Sequence, residues 1–412
     1  MNLSEVLSRI KPTTDDREKV NRVVSKVLER LRGLDAEVHG SFRKDTWLRG
    51  DADVDVFVFF PQTMGKEWMK GEALTLIVQR FSGMDYAISY AEHPYLTVRI
   101  EGVEVDVVPA FRIPRGQRPI TAVDRTPFHT EFVLAHTDER TRDEVRLLKQ
   151  FMKGIGVYGA EIKVQGFSGY VAELLVIAHS SFEETLRAAS SWRHPVVVDK
   201  LVKPLREFSE PLVIPDPTDP LRNAASAVSV RSLATFVLAS TYYLKSPSLE
   251  FFFPSDHSGG EIKGDLILFR VDLERRVPQD LLWGQIRRSC KRAVSLLKQA
   301  GYGVIDWGAW GNEESVTLAF QLETLKLPKY YLHRGPMYYQ RDSVEEFVSR
   351  NDQVWIDEEG RMCTIKQRRE VEAEELIRSS ITLKPKFRIS KIEKGDEPWV
   401  SKFLRKTPSW LK

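Results

Sequence analysis

Between Ala52 and Phe60 the chain reads ADVDVFVFF. Val and Phe at this density favour an extended strand, and Pro61 ends it. Alternate side chains of a strand turn to the same face, so Asp53 and Asp55 point the same way. Two carboxylates so placed either face solvent at a strand end or share one ion. Oxygen ligands suit Mg²⁺, which usually takes one or two protein carboxylates together with substrate phosphates.

A third carboxylate favours the second alternative. Asp106 lies in VEVDVV, flanked by Val105, Val107 and Val108, and an acid among apolar neighbours is costly unless it meets a cation or hydrogen-bond donors. Upstream, a short strand over Ala36 to His39 leads through Gly40-Ser41 into one or two helical turns over Phe42 to Leu48. Glycine lets backbone approach a phosphate, the serine hydroxyl and helix amides donate hydrogen bonds, and Lys44 adds positive charge. About a dozen residues separate this turn from Asp53, room for one helical excursion that brings the chain back beside the first strand.

The surrounding pattern predicts an α/β unit over roughly the first 140 residues. A helix capped by Ser4 runs to Ile10, and a second opens at Thr13 or Thr14 with Val20, Val23, Val24, Val27, Leu28 and Leu31 in one stripe. Met64 to Phe81 reads as a helix. Tyr86 to Tyr90, Leu96 to Ile100 and Val103 to Val108 read as strands, the last two joined by a hairpin at Glu101-Gly102. From Asp138 to about Lys245 the signals are mainly helical, interrupted by the proline-rich PLVIPDPTDPLRNAAS. After a turn-rich linker at Pro254 to Gly260 the order becomes strand, helix, strand, strand.

Composition narrows the class. A length of 412 residues predicts two to four domains, and 42% hydrophobic with 29% charged residues describes a globular chain rather than a disordered one. No apolar run nears the ~20 residues that span a bilayer, and MNLSEVLSRIKP carries charge where a signal peptide is apolar, so a cytoplasmic protein is expected. Cys290 and Cys363 have no spacing for a disulfide framework or zinc site and read as buried hydrophobes. The net charge of +3 hides a segment from Ile381 to Lys412 with nine basic and three acidic residues, interleaved with Phe387, Trp399, Phe403 and Trp410. That segment is either a solvated tail or a surface for a phosphate-rich partner.

Other residues are ambiguous by themselves. Arg142, Arg146, Lys149 and Lys153 form one helix face, either solvated or turned towards the carboxylates as a phosphate or RNA surface. His129 after a Thr-Pro turn can be structural, Tyr158 between Gly156 and Gly159 can be packing, and Arg222 can pair with Asp216 or Asp219.

GSFRKDTWLRGDADVDVF, VEVDVVPAF and AVDRTPFHTEFV together resemble the nucleotidyltransferase superfamily signature, a Gly-Ser turn followed by a paired-acid strand and a third strand carboxylate. More narrowly, with DEVRLLKQFMKGIGVYGAEIKVQGFSGYVAELL and DPTDPLRNAASAVS, the chain resembles the archaeal, class I CCA-adding enzymes. The resemblance implies an α+β multidomain fold. Its parts would be a polymerase-beta-like nucleotidyltransferase head at 1–140, a helical central domain completing the nucleotide pocket at 141–255, and an α/β C-terminal tRNA-binding region with a basic tail at 256–412.

The implied activity is template-independent addition of C, C and A to the 3′ end of tRNA from CTP and ATP, with release of pyrophosphate, by two-metal chemistry with Mg²⁺. Asp53, Asp55 and Asp106 would be the catalytic metal carboxylates, and Ser41 and Lys44 would meet the triphosphate. His129, Lys149 and Tyr158 would complete the nucleotide pocket, with Arg222 presenting donors to the cytosine or adenine edge. Many relatives carry Arg where this chain has Lys44, and Glu where it has Asp53. Lys44 keeps the cation and loses the bidentate fork, and the shorter Asp53 is expected to reach metal through a water. The implied partners are the acceptor stem and 3′ end of tRNA, and, since relatives include dimers, a second copy of the chain. The rival enzyme reading is a poly(A)-type template-independent polymerase on the same head. A non-catalytic RNA-binding protein with a relic head is the rival from another class, and the carboxylate trio argues against it.

Overall fold

A computed structural model describes residues 2–52, 54–90, 94–255, 262–369 and 371–411. The chain divides into two compact units, one of residues 1–257 with 407–412, the other of residues 258–406.

The first unit begins with α1 (Leu3–Ile10), capped by Asn2, whose side chain accepts the Ser4 amide at 3.0 Å. The cap is thus two residues earlier than the expected Ser4. In α2 (Thr14–Arg30) Thr13 and Asp16 form a reciprocal capping box. The stripe Val20, Val23, Val24, Val27 and Leu31 is buried, each side chain contributing roughly 1.5 kcal/mol or more of apolar stabilisation. β1 (Asp35–His39) runs into α3 (Gly40–Lys44), which stops at Asp45 in a left-handed conformation, short of the expected Leu48. After β2 (Val54–Phe60) the single helix expected over Met64 to Phe81 is two, α4 (Lys66–Lys70) and α5 (Glu72–Arg80), broken at Gly71 where helix propensity is weakest.

β3 (Tyr86–Tyr90), β4 (Pro94–Ile100) and β5 (Val103–Phe111) complete a five-stranded sheet in the order β1-β2-β5-β4-β3. β2 and β5 are parallel and the other neighbours antiparallel. Glu101 and Gly102 both have positive φ, 53° and 74°, as the two-residue hairpin between β4 and β5 requires. On one sheet face Val54, Val56, Val58 and Phe60 join the cluster that contains the α2 stripe and Ala73 and Ile77 of α5. On the other, Phe57 and Phe59 pack with Val108 and Ala110. This two-sided burial is why ADVDVFVFF is so uniformly apolar after its acids.

The rest of the unit is built from α6 (Thr126–His136), α7 (Glu139–Gly154), α8 (Gly169–His179), α9 (Phe182–Ser190) and α10 (Val230–Lys245). Asp138 caps α7 and Ser168 caps α8 through backbone amides. Phe151, Phe167, Phe182 and Phe236 are buried in their shared core. The proline-rich stretch is more regular than the loop expected from its sequence. β6 (Val196–Val197) pairs with β7 (Leu212–Val213), and β8 (Pro215–Asp216) forms a hairpin with β9 (Asp219–Asn223).

The second unit holds β10 (Asp265–Leu273), α11 (Gln279–Ala300), β11 (Val304–Gly311) and β12 (Ser315–Leu322), the expected strand, helix, strand, strand order. It continues through β13 (Tyr330–Met337), α12 (Arg341–Ser349), β14 (Val354–Ile356), β15 (Arg361–Gln367), α13 (Ala373–Ser380), β16 (Phe387–Lys391) and α14 (Pro398–Arg405). One sheet has the order β11-β12-β10-β16, and a smaller one β13-β15-β14.

The basic terminal segment is folded rather than a free tail. Its residues make β16 and α14, and α14 lays Val400 and Leu404 against Leu268 and Ala319. Trp399 and Phe403 crowd Gly308 of β11. Trp410 belongs to the first unit, where it is buried against Phe251 with ring centroids 5.5 Å apart.

Candidate active site

Five residues line up across the sheet of the first unit. His39 on β1 is opposite Asp55, Asp55 is in register with Asp106 on parallel β5, Asp106 with Thr97 on β4, and Thr97 with Ala87 on β3. Register partners share a face, so the two carboxylates sit side by side on adjacent central strands. Asp53, the third carboxylate of the expectation, is outside the described residues. The Thr97 hydroxyl donates to Asp106 at 2.6 Å, yet burial still pushes the Asp106 carboxyl above its ordinary range.

That environment fits a divalent cation. Paired acids, one of them short of compensating charge, are oxygen ligands whose ionised forms a metal would favour. Among the described residues no set of three His, Cys, Asp or Glu side chains forms a metal cluster; Asp55 and Asp106 are the two expected carboxylates that the described residues include.

Gly40 is fixed by its closeness to Asp55. Its φ is +69°, and a Cβ built there would be 1.8 Å from Asp55 Oδ2. Only a residue without a side chain can pass so close. Gly40 and Ser41 open α3, and Lys44 ends it, so this one short helix ties the carboxylates to the cations that follow.

Lys44 is buried, and its Nζ donates to Glu173 Oε2 on α8 at 2.5 Å. Lys149, on α7, donates to Glu173 Oε1 at 3.0 Å, to Thr46 Oγ1 at 2.9 Å and to the Thr46 carbonyl at 3.2 Å. Burial draws Lys149 down to about 8, partly countered by Glu173. Burial pushes Glu173 up, and the two lysines overcome this and bring it down to about 2. Tyr158 ends nearby: its hydroxyl is 3.0 Å, and Lys149 Nζ 3.5 Å, from where a Cβ of Gly169 would stand.

The basic face of α7 is neither solvated nor an RNA surface over its middle. Arg146 is fully buried and bonds the Trp47 carbonyl at 3.1 Å, Asp143 at 2.7 Å and Asp45. Lys153 pairs with Asp51. Together with Lys149 they fasten α7 to residues 45–51, the chain between α3 and β2.

A second cluster gathers on Asp216, which is fully buried. His129 Nε2 is 2.8 Å from its Oδ2, Arg222 Nη1 donates to the same oxygen at 2.9 Å, and the Tyr170 hydroxyl and Thr218 hydroxyl donate to Oδ1 at 3.1 and 2.8 Å. Of the two acids open to Arg222 from the sequence, Asp216 is the partner. Burial pushes Asp216 up, but His129 and the Thr218 bonds hold it well below the usual carboxylate range. Burial also lowers His129, against the pull of Asp216. Tyr170 joins the clusters: it stacks on His129 at 3.9 Å, and Lys44 Nζ lies 5.8 Å from its ring centre.

Glu173, Asp216, Thr46 and Tyr170 were not among the residues singled out from sequence as site residues. Glu173 carried a signal, the only charge in the apolar helix GYVAELLVIAH. Asp216 carried none beyond its nearness to Arg222.

Paired sheet carboxylates, with a Gly-Ser helix start against one of them and a buried cation one turn further along that helix, define a nucleotidyltransferase. Residues 20–129 match the nucleotidyltransferase domain family, 143–253 the second domain of tRNA nucleotidyltransferase, and 267–389 the C-terminal domain of the CCA-adding enzyme. Nucleotidyltransferases of this type generally use divalent metal. The chain is 52% identical over 410 residues to the CCA-adding enzyme of Saccharolobus shibatae, and 53% identical over 411 to that of Sulfurisphaera tokodaii, each alignment covering 99% of both chains. It belongs to the CCA-adding enzymes. The Cid1 poly(U) polymerase structure covers 61% of this chain and 97% of its own at 14% identity and a TM-score of 0.47, too slight a likeness to bear on the reading. Among the described residues no helix is long and apolar enough to cross a membrane.

Proposed function

We propose that this protein adds C, C and A in turn to the 3′ end of tRNA, using CTP and ATP, releasing pyrophosphate and taking no instruction from a nucleic-acid template. The carrying observation is the in-register pair Asp55 and Asp106, with Gly40 close against Asp55, in a chain alike along 99% of its length to CCA-adding enzymes. Asp53, Asp55 and Asp106 would hold Mg²⁺, which when bound supplies Lewis-acid stabilisation of charge on the attacking and departing oxygens.

In the reaction the RNA 3′-hydroxyl oxygen bonds to the α-phosphorus as the bond to the pyrophosphate oxygen breaks. Catalysis of this kind is positioning and electrostatics, with no covalent enzyme intermediate. Ser41 and the open backbone at Gly40 admit the phosphates, while Lys44 and Lys149, with Tyr158 beside them, balance the triphosphate charge. Arg222, held by Asp216 in the same hydrogen-bond system as His129, offers guanidinium donors to the cytosine or adenine edge. Residues 1–140 would carry the chemistry, 141–255 complete the nucleotide pocket, and 256–412 grip the acceptor stem, in the cytoplasm.

The test is incubation with Mg²⁺, labelled CTP and ATP, and tRNA ending at the discriminator base. Incorporation of C, C and A followed by a stop is expected. A long A tail instead would assign a poly(A)-type polymerase.

A further inference from the structure

Glu173, like Asp216, is an acid enclosed with no solvent exposure. An ionised carboxylate in that position gains little stability over a well-packed apolar side chain, because removing charge from water offsets the ion-pair attraction. Its bonding is nevertheless full: Oε1 accepts from Thr46 Oγ1 at 2.5 Å and Lys149 Nζ at 3.0 Å, and Oε2 from Lys44 Nζ at 2.5 Å. The three donors come from α3, the residue two beyond it, and α7, so the carboxylate joins the phosphate side of the head to the helices behind it.

The two ammonium groups differ in what they have left to give. Lys149 spends its three N–H bonds on Glu173, the Thr46 hydroxyl and the Thr46 carbonyl. Lys44 spends one on Glu173 and lies near the Tyr170 ring. Without the carboxylate, two cations would face each other out of water, and each would turn away. Glu173 also lies one turn along α8 from Gly169, where Lys149 and Tyr158 both end, so the group is seated on a rigid element.

We propose that Glu173 is a positioning residue for nucleotide binding: its carboxylate, anchored by Lys149 and Thr46, holds the Lys44 ammonium in place so that its remaining N–H donors can receive the triphosphate. This rests on the nucleotidyltransferase reading above. Because the triphosphate is common to both substrates, the effect is blind to the base, unlike that of the Asp216 cluster.

The experiment measures KM and kcat for CTP and ATP addition to tRNA by the full chain. Glu173→Gln is expected to raise KM for both nucleotides about tenfold or more, the scale of a lost charge-assisted contact, and to leave the CTP to ATP preference as in wild type. Adding Glu173→Gln to Lys44→Ala is expected to raise KM by a smaller factor than adding it to wild type, since the ammonium that Glu173 places is then gone. Equal factors in both backgrounds, or an unchanged KM, overturn the proposal. Thr46→Val, a milder change at the same carboxylate oxygen, is expected to raise both KM values by a lesser factor. It decides the matter if Glu173→Gln does not fold, and an unchanged KM there counts against the proposal. A wild-type protein that adds neither nucleotide refutes the nucleotidyltransferase reading itself, and the proposal with it.

Discussion

Replacing Gly40 by Ala tests the site through a single methyl group. The new Cβ would be 1.8 Å from Asp55 Oδ2, and contacts become ordinary at 3.4 Å, so the oxygen must retreat about 1.6 Å. The left-handed backbone, φ +69°, adds a strain of roughly 1–2 kcal/mol for any L residue. Misplacing a reacting group by about 1 Å can cost ~10²-fold in rate. Gly40→Ala is therefore expected to lower single-turnover incorporation from labelled CTP by about 10²-fold, with a fall of only a few degrees in melting temperature. Gly33→Ala separates the causes, because Gly33 has φ +88° and nothing within 4 Å of a built Cβ. It should lose similar stability and keep its rate. Normal incorporation by Gly40→Ala, or an equal loss in Gly33→Ala, would refute the claim that Gly40 is reserved for the Asp55 carboxylate.

Asp106→Asn should abolish incorporation while the melting temperature stays at or above that of wild type, since the amide can still accept from Thr97 and no buried charge remains; a large drop in stability would make Asp106 structural. Asp216→Asn should cost about 3 kcal/mol at pH 7 by breaking a buried charged cluster, read by urea titration, and should alter the CTP to ATP preference. Its carboxyl is held below the ordinary value of 3.8, so its contribution is complete above that pH and lost as pH falls through the folded value; the gap between wild type and variant should shrink below about pH 4. Trp410→Ala should destabilise the first unit by roughly 3–5 kcal/mol, because the ring is buried against Phe251; a change under 1 kcal/mol would mean that the terminus is held only loosely.

The features legible in the sequence were those set by near neighbours. The α2 stripe, the strand Val54–Phe60 and the Glu101-Gly102 turn all follow from side-chain period and turn chemistry, which act over a few residues. Gly40-Ser41 was legible as the break after the first strand, although the two residues already belong to α3, and the reason for the glycine was not legible, since the contact with Asp55 depends on β1 and β2 pairing. The basic row of α7 was visible by its spacing, and the sequence offered only solvent or phosphate to face it. Packing against residues 45–51 added protein partners that neither alternative named, Asp45, Thr46 and Asp51.

By itself, then, the chain order marks candidate residues for nucleotidyl transfer and many of the local elements they sit on. The tertiary structure alone decides what holds them. Lys44 and Glu173 are 129 positions apart, and His129 and Asp216 are 87. No periodicity spans such distances, because the pairing arises from which helix faces meet once apolar surface is buried. Burial then strips these charges of water and makes each bond to a partner obligatory.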